Sequence, residues 1–320
     1  MNKQTICILG GTGFVGHYLT HALVNAGYHV RIPSRRRERN RELLVMPGVD
    51  VVEGSISDPA FLNQIIEKSD VVINLVALLN EGKKGDFQKI HVDLPKRIND
   101  VMAKHGVKRL LHMSALNADA TAGPSRYLKS KGEGEDIAHS AEKNNNVSVT
   151  SFRPSVIFGS GDHFFNMFAL LLKRSILALP LACPNARFAP IYAEDVTSHM
   201  VAALVNDDSA GKRYDLCGPH VYTLEQLVEY TNKLIGTNKA LIGLGDGASR
   251  FMGSVLQFAP GKPFTPDNYL SMKKDSVCPI SKDEQQQRTS LEAVVPLYLG
   301  GTKQKDHYDN YRYYARRETQ

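Results

Sequence analysis

A chain of 320 residues, 42% of them apolar and 22% charged, holds enough material for a large buried core and is not a disordered polymer. No apolar run reaches the roughly 18 residues that a spanning helix needs, and the opening MNKQTICILGG has no signal-peptide pattern, so a cytoplasmic protein is expected. The net charge of +6 is modest and much of it sits at Arg31, Arg35, Arg36, Arg37, Arg39 and Arg41; without a nucleic-acid motif or interleaved aromatics, it favours a phosphate over a nucleic-acid partner.

Periodicity predicts alternating strands and helices through the first half. A strand at Thr5–Leu9 leads to a helix over Phe14–Ala26, then strands at His29–Ile32 and Val49–Glu53. Pro59–Lys68 reads as a helix with Asp58 as its N-cap. Val71–Val76 is strongly apolar, as in a strand buried on both faces, and a helix over Phe87–His105 is expected to be interrupted or bent at Pro95. A strand at Arg109–Met113, a helix at Tyr127–Lys143 and a strand at Val147–Phe152 complete the alternation. The expected fold class is therefore α/β: a doubly wound parallel Rossmann sheet with a smaller C-terminal lobe.

Beyond Arg153 the pattern loosens. Phe164–Arg174 reads as a helix, Phe188–Tyr192 as a strand, and Asp195–Val205 as a helix capped by the aspartate. Thr223–Ile235 is a helix with Thr223 and Gln226 in a capping box. The expected division is residues 1–160 as the dinucleotide domain, with 188–217 returning to it, and 161–320 mainly as the lobe. Cys7, Cys183, Cys217 and Cys278 show no CxxC spacing and are expected as free thiols in a reducing compartment, with no disulfide or zinc site.

The run GGTGFVG supplies Gly10, Gly13 and Gly16 after a strand and before a helix, the context in which such glycines serve a dinucleotide. One makes the turn, one lets backbone approach a pyrophosphate, and one permits close helix–strand packing; the amides around Thr12, Phe14 and Val15 then face the ligand. The second strand ends in RIPSRRR. A cofactor with a free ribose 2′-hydroxyl wants a carboxylate there, whereas Ser34, Arg35 and Arg36 suit a 2′-phosphate, so NADP(H) is preferred and NAD(H) allowed. Ser55 and Ile56 after the third strand, and Val76 and Ala77 after the fourth, are positional candidates for the adenine and nicotinamide ends; packing alone would equally explain Ile56 and Val76.

Tyr127 and Lys131 are four apart in a predicted helix and share a face, and a nearby ammonium eases loss of the phenolic proton. The spacing alone says little, since Tyr269 and Lys273 repeat it in the loosely organised lobe. What distinguishes Tyr127 is its helix, which follows the strand ending near Ser114. With GGTGFVG, SRYLKSKGEGE and RPSVIFGSGD in order, the chain resembles the extended short-chain dehydrogenase/reductase superfamily. SALNAD, SRYLKSK, RPSVIFG, PIYAEDV and PGKPFTPDNYLSMKKDSV narrow this to a resemblance to the NADPH-binding accessory subunit of respiratory complex I and its bacterial relatives. That resemblance implies Ser114, Tyr127 and Lys131 as the catalytic set, with Pro154 and Val156 near the nicotinamide. Ala115 stands where the superfamily often has its second, catalytic serine. The resemblance also implies either an oxidoreductase acting on a carbonyl or quinone, or a subunit that holds its nucleotide in a respiratory or quinone-biosynthesis complex, with a non-catalytic assembly or redox-sensing subunit as a further alternative. The same core would serve a sugar-nucleotide epimerase, dehydratase or reductase, with Arg174 and Arg187 as diphosphate ligands.

His17 and His21 have metal-ligand spacing but no third ligand, so a solvated helix face and no metal are expected. Asp162 and His163 are open between substrate contact and ordinary loop. The apolar segment Ala240–Pro260 reads as a lid, a partner surface or a shallow peripheral membrane contact, at the inner face of a membrane, and the tyrosine- and arginine-rich end HYDNYRYYARRETQ as an interface; cover for the lobe's own core explains both equally.

Overall fold

The computed structural model describes residues 4–279 and 287–300. The C-terminal tyrosine- and arginine-rich segment lies outside the described residues. The chain forms two compact units: Met1–Ser155 with Ala193–Leu216, and Val156–Tyr192 with Cys217–Gln320.

In chain order the first unit carries β1 (Thr5–Leu9), α1 (Phe14–Asn25), β2 (His29–Ser34), α2 (Arg41–Leu44), β3 (Val49–Glu53), α3 (Pro59–Glu67) and β4 (Val71–Asn74). It continues with α4 (Leu94–His105), β5 (Arg109–Met113), α5 (Arg126–Asn145) and β6 (Ser148–Pro154). The second unit then supplies β7 (Ile157–Phe158), α6 (Phe164–Arg174), β8 (Ala178–Leu181), β9 (Arg187–Phe188) and β10 (Ile191–Tyr192). The chain returns to the first unit for α7 (Ala193–Val205) and β11 (Arg213–Leu216), and ends in the second with β12 (Tyr222–Thr223), α8 (Leu224–Leu234), β13 (Ala240–Gly243), α9 (Asp246–Leu256), α10 (Pro266–Ser271) and α11 (Leu291–Leu299).

The first unit is built on a seven-stranded sheet in the order β11-β6-β5-β4-β1-β2-β3, every pair parallel. This is the doubly wound α/β fold that the alternation predicts. Its order reverses between β1 and β4, and ligands of such sheets bind outside the strand ends at that point. β4 is buried at all four positions, as a strand covered on both faces must be. Leu62, Ile65 and Ile66 of α3, Leu94, Ile98 and Met102 of α4, and Ala138 and Ala141 of α5 pack with Cys7, Leu9, Val72, Leu110 and Val149 in one core. Burying each of the larger side chains contributes roughly 1.5–3 kcal/mol.

Local signals account for most boundaries. Asp58 accepts from the Ala60 amide at 3.0 Å with Pro59 at the first helical position. The bend expected at Pro95 takes a different form: Gln88–Asp93 is a π-helical turn, and Pro95 falls in the first turn of the α-helix that follows. The helix expected from Asp195 begins at Ala193 instead, immediately after β10 ends at Tyr192, so Asp195 lies in the first turn and is not the cap.

The second unit has its own core, in which Phe158, Phe165, Phe168 and Leu172 meet Leu224, Leu227, Val228, Leu291 and Val295. Among the described residues its sheets are three two-stranded pairs, β10-β7, β12-β9 and β13-β8. The strand expected over Phe188–Tyr192 is split into β9 and β10. Thr223 and Gln226 form the capping box of α8. The expectation of four free thiols fails: Cys217 and Cys278, 61 residues apart, are joined in a disulfide with Cα atoms 6.0 Å apart. Widely separated cysteines need no CxxC spacing to meet, because the fold sets the distance. Cys7 and Cys183 are free, and burial pushes the Cys7 thiol up to about 12.

Candidate active site

The candidate site lies at the carboxyl ends of β1 to β6 in the first unit. After β1 the chain turns at Gly10, whose φ of +85° suits glycine. A Cβ there would sit 3.2 Å from Leu75 C and Val76 N, so the turn also abuts the end of β4. A Cβ on Gly16 would lie 2.4 Å from the Gly11 carbonyl oxygen, which keeps α1 tight against the turn. Gly13 is the N-cap of α1 and offers no side-chain cap, and the first turn has no acid. The opening amides, around Phe14 and Val15 beside Thr12, thus lack partners within the helix. Such a glycine-shaped cradle at a helix N-terminus fits a pyrophosphate.

At the end of β2, Ser34 is buried and its hydroxyl accepts from the Arg36 amide at 3.3 Å and from Asn40 Nδ2 at 3.1 Å. Arg37 is held by the Val51 carbonyl and Glu38, both at 3.0 Å. Arg35 and Arg36 are exposed, with no ion pair to their guanidinium groups among the described residues. Beyond β3, Ser55 accepts from the Ser57 amide at 3.3 Å, while Ile56 and Val76 pack against the core. Asn74 ends β4 and its Oδ1 accepts from the Val76 amide at 3.1 Å, fixing the turn that leaves Ala77 exposed.

β5 and α5 bring Ser114 and Lys131 together. The Lys131 ammonium is buried and donates to the carbonyl of Met113, the residue before Ser114, at 2.6 Å. Burial lowers its pKa to about 8, against the opposing pull of Glu135. Tyr127 stands one turn earlier on the same helix face. The Ser114 amide donates to the Phe152 carbonyl at 2.8 Å, yet its buried hydroxyl has no hydrogen-bond partner among the described residues. A buried orphan hydroxyl is costly unless a ligand completes it. Pro154 ends β6 and accepts from the Leu116 amide at 3.0 Å. Val156 belongs to the second unit, where it packs against that unit's core.

Spacing did not single out His91. It lies buried in the π-helical turn, where its Nε2 accepts from the Leu78 amide at 3.0 Å. Its Nδ1–H therefore faces the Ser130 hydroxyl at 2.8 Å, and that hydroxyl donates to the Tyr127 carbonyl at 2.8 Å. The ring meets Tyr127 edge-on at 5.7 Å and stacks on Phe87 at 5.2 Å. Burial first, then the Lys131 charge, hold His91 down to about 3, so it is neutral. One imidazole thus ties the turn after β4 to the helix of Tyr127. Further along α5, the fully buried Glu135 accepts from Arg153 at 2.9 Å and from Arg213 at 2.7 Å.

Of the remaining candidates, His17, Asp162 and Arg187 have structural partners. His17 Nδ1 lies 2.9 Å from the Gly13 carbonyl oxygen and His21 is exposed. Asp162 is buried and accepts from the Phe165 amide at 2.7 Å at the start of α6, and also binds Tyr298. Its carboxyl is pushed up by burial. Arg187 pairs with Asp275 at 2.9 Å, and Arg174 lies in the last turn of α6.

Residues 6–217 match the NAD dependent epimerase/dehydratase family. The chain belongs to that family. Among its relatives is the mouse (Mus musculus) protein "NADH dehydrogenase [ubiquinone] 1 alpha subcomplex subunit 9, mitochondrial", 33% identical over 70% of this chain and 59% of that one. A second is the "Ceramide reductase" of Caulobacter vibrioides, 27% identical over 62% of this chain and 61% of that one. The matches thus span about three fifths of these relatives' own length. The fold is shared with UDP-glucose 4-epimerase of Thermotoga maritima, with a TM-score of 0.72 at 15% identity, covering 94% of this chain and 99% of that one. No helix among the described residues is long and apolar enough to cross a membrane.

Proposed function

We propose that this family member binds NADP(H) at the strand ends of its first unit and serves quinone or respiratory-chain chemistry. It does so either as an NADPH-dependent oxidoreductase acting on a carbonyl or quinone, or as a subunit that holds the nucleotide in a respiratory or quinone-biosynthesis complex. The observation that carries the nucleotide reading is the end of β2, where the three residues after Ser34 are all arginines with no carboxylate among them, and the guanidiniums of Arg35 and Arg36 have no ion pair among the described residues. A 2′-phosphate suits that arrangement, and a free ribose hydroxyl does not. The glycine cradle would take the pyrophosphate, with Ser55 and Ile56 toward adenine and Val76, Ala77, Pro154 and Val156 toward the nicotinamide. Its nicotinamide ring supplies the hydride chemistry when bound.

In an oxidoreductase, Ser114 would orient the carbonyl oxygen with its otherwise unpartnered hydroxyl, and Tyr127 would donate the proton. Lys131, already anchored on Met113 O, would bind the ribose and ease the tyrosine's proton loss. His91 would keep Tyr127 and the β4 turn in register. The second unit would be the lobe for substrate or partner, and the protein cytoplasmic with a peripheral contact at the inner face of the membrane. A sugar-nucleotide role is weakened because Arg187 is already paired with Asp275.

Titration by NADPH and NADH fluorescence tests the cofactor: NADPH is expected to bind more tightly, and Arg35→Ala to cost roughly tenfold in NADPH affinity while leaving NADH unchanged. Equal affinities would defeat the reading. Oxidation of bound NADPH by a quinone and carbonyl panel, abolished in Tyr127→Phe, would choose the enzyme; NADPH that raises the melting temperature and never turns over would choose the holding subunit.

A further inference from the structure

Exposed apolar residues of the second unit gather at two places, on and just beyond α9 and where α6 runs into β8. Ile176 and Leu177 form the tip of that connection and are 85% and 82% exposed. β8 pairs in parallel with β13, with Ala178 opposite Ala240 and Pro180 opposite Ile242. Alternate residues of a strand face opposite sides. Leu179 and Leu181 are buried, and Leu241 packs against the same core. The other parity, Ala178, Pro180, Ala240 and Ile242, therefore forms an outer face made only of apolar side chains, which continues into Ile176.

Cations border this strip. Lys173 and Arg174, in the last turn of α6, are exposed and have no ion pair among the described residues. Lys239, at the start of β13, places its ammonium 2.8 Å from the Ile176 carbonyl oxygen. The two segments that build the tip, residues 170–181 and 236–244, contain no aspartate or glutamate. On the neighbouring α8, Glu229 is matched by Lys233 at 2.8 Å.

We infer that this strip is the peripheral membrane contact and that its partner is a bilayer surface bearing anionic phospholipid. Ile176 and Leu177 enter the headgroup boundary while Lys173, Arg174 and Lys239 meet lipid phosphates. Apolar insertion and attraction to anionic lipid act together at such surfaces. Charge complementarity decides among occupants. A second copy meeting the strip face to face would bring the same cations together. The chain's own last twenty residues, 301–320, carry five Lys/Arg against three Asp/Glu, so their net charge matches the sign of the strip. The inference rests on the peripheral contact proposed above and assigns it a place and a lipid class. It is independent of the nucleotide.

Sedimentation of the full chain with vesicles of phosphatidylcholine, with and without phosphatidylglycerol, tests it at low and high salt. Binding is expected only to the anionic vesicles and to weaken with salt. Two double variants, Ile176→Ser with Leu177→Ser and Lys173→Gln with Arg174→Gln, should each weaken it roughly tenfold or more. Both change exposed side chains, and unchanged melting temperatures confirm folding. Phe251→Ser with Phe258→Ser, on and just beyond α9, should leave it unchanged although those rings are 71% and 85% exposed. Vesicle binding lost in the α9 variant and kept in both tip variants would overturn the assignment while preserving a membrane contact. No binding of the wild type at low salt would overturn both. Tip variants that dissolve a self-associated species without altering vesicle binding would assign the strip to protein contact and overturn the lipid.

Discussion

The chain contains two Tyr-x-x-x-Lys pairs, and they differ in every respect except spacing. Lys131 is buried, donates to a strand-end carbonyl, and is lowered to about 8 chiefly by loss of water. Lys273 is exposed, bound to Asp246 beside the Tyr269 hydroxyl, and is raised to about 12 by those hydrogen bonds. It also sits over the Tyr269 ring at 4.9 Å. The second pair closes on itself through Asp246, staples α9 to α10, and leaves its lysine more firmly protonated. In the first, burial weakens the lysine's hold on its proton. Environment separates the two, and each difference can be measured.

The largest expected effect concerns the carboxylate of each region. Glu135 lies one turn beyond Lys131, fully buried between Arg153 and Arg213. Removing one partner from a buried ion pair strands the others, so Glu135→Gln should cost about 3 kcal/mol in urea unfolding. Asp246 is solvent-exposed, and Asp246→Asn should leave the unfolding curve where it was. Equal losses at the two sites would mean that burial is not what distinguishes them.

Next comes the pH dependence, whose sign is opposite in the two regions. Between about 8 and 10.5 the unfolded chain keeps the Lys131 proton that the folded chain has released. Stability should therefore rise with pH through that window, by about 3 kcal/mol in all. Lys273 contributes stability that is fully present below 10.5 and is lost as pH rises through about 12. Comparing unfolding of wild type, Lys131→Met and Lys273→Met at about pH 7.5 and about pH 10 isolates the first: wild type should gain relative to Lys131→Met, by about 2 kcal/mol. No relative gain would place Lys131 in water.

What the sequence disclosed divides along the same line. The α/β alternation, the glycine turn and the placing of Tyr127 and Lys131 on one helix are local patterns, legible because strand and helix periods and backbone approach act over a few residues. Ser114 was legible as the end of β5, although its unpartnered hydroxyl was not. His91 was missed because its partners Leu78 and Ser130 are 13 and 39 residues away. The Cys217–Cys278 disulfide escaped for the same reason, at a separation of 61. The start of α7 was misplaced because a good capping aspartate, Asp195, stood two residues inside a helix that begins directly from a strand.

The smallest effects belong to two buried serines, one in each region. Ser249 is 1% exposed and saturated: it accepts from the Cys183 amide at 3.1 Å and donates to the Leu244 carbonyl at 3.2 Å. Ser249→Ala leaves both groups without it and should cost about 1–2 kcal/mol. Ser114 is 4% exposed, and its hydroxyl serves nothing in the described fold. Ser114→Ala removes an unsatisfied group and should leave the melting temperature unchanged or slightly raised. A chain that keeps an unpaired hydroxyl beside a buried lysine gains no stability from it, so a destabilised Ser114→Ala would show that the hydroxyl is structural and would weaken the case for a carbonyl-orienting role.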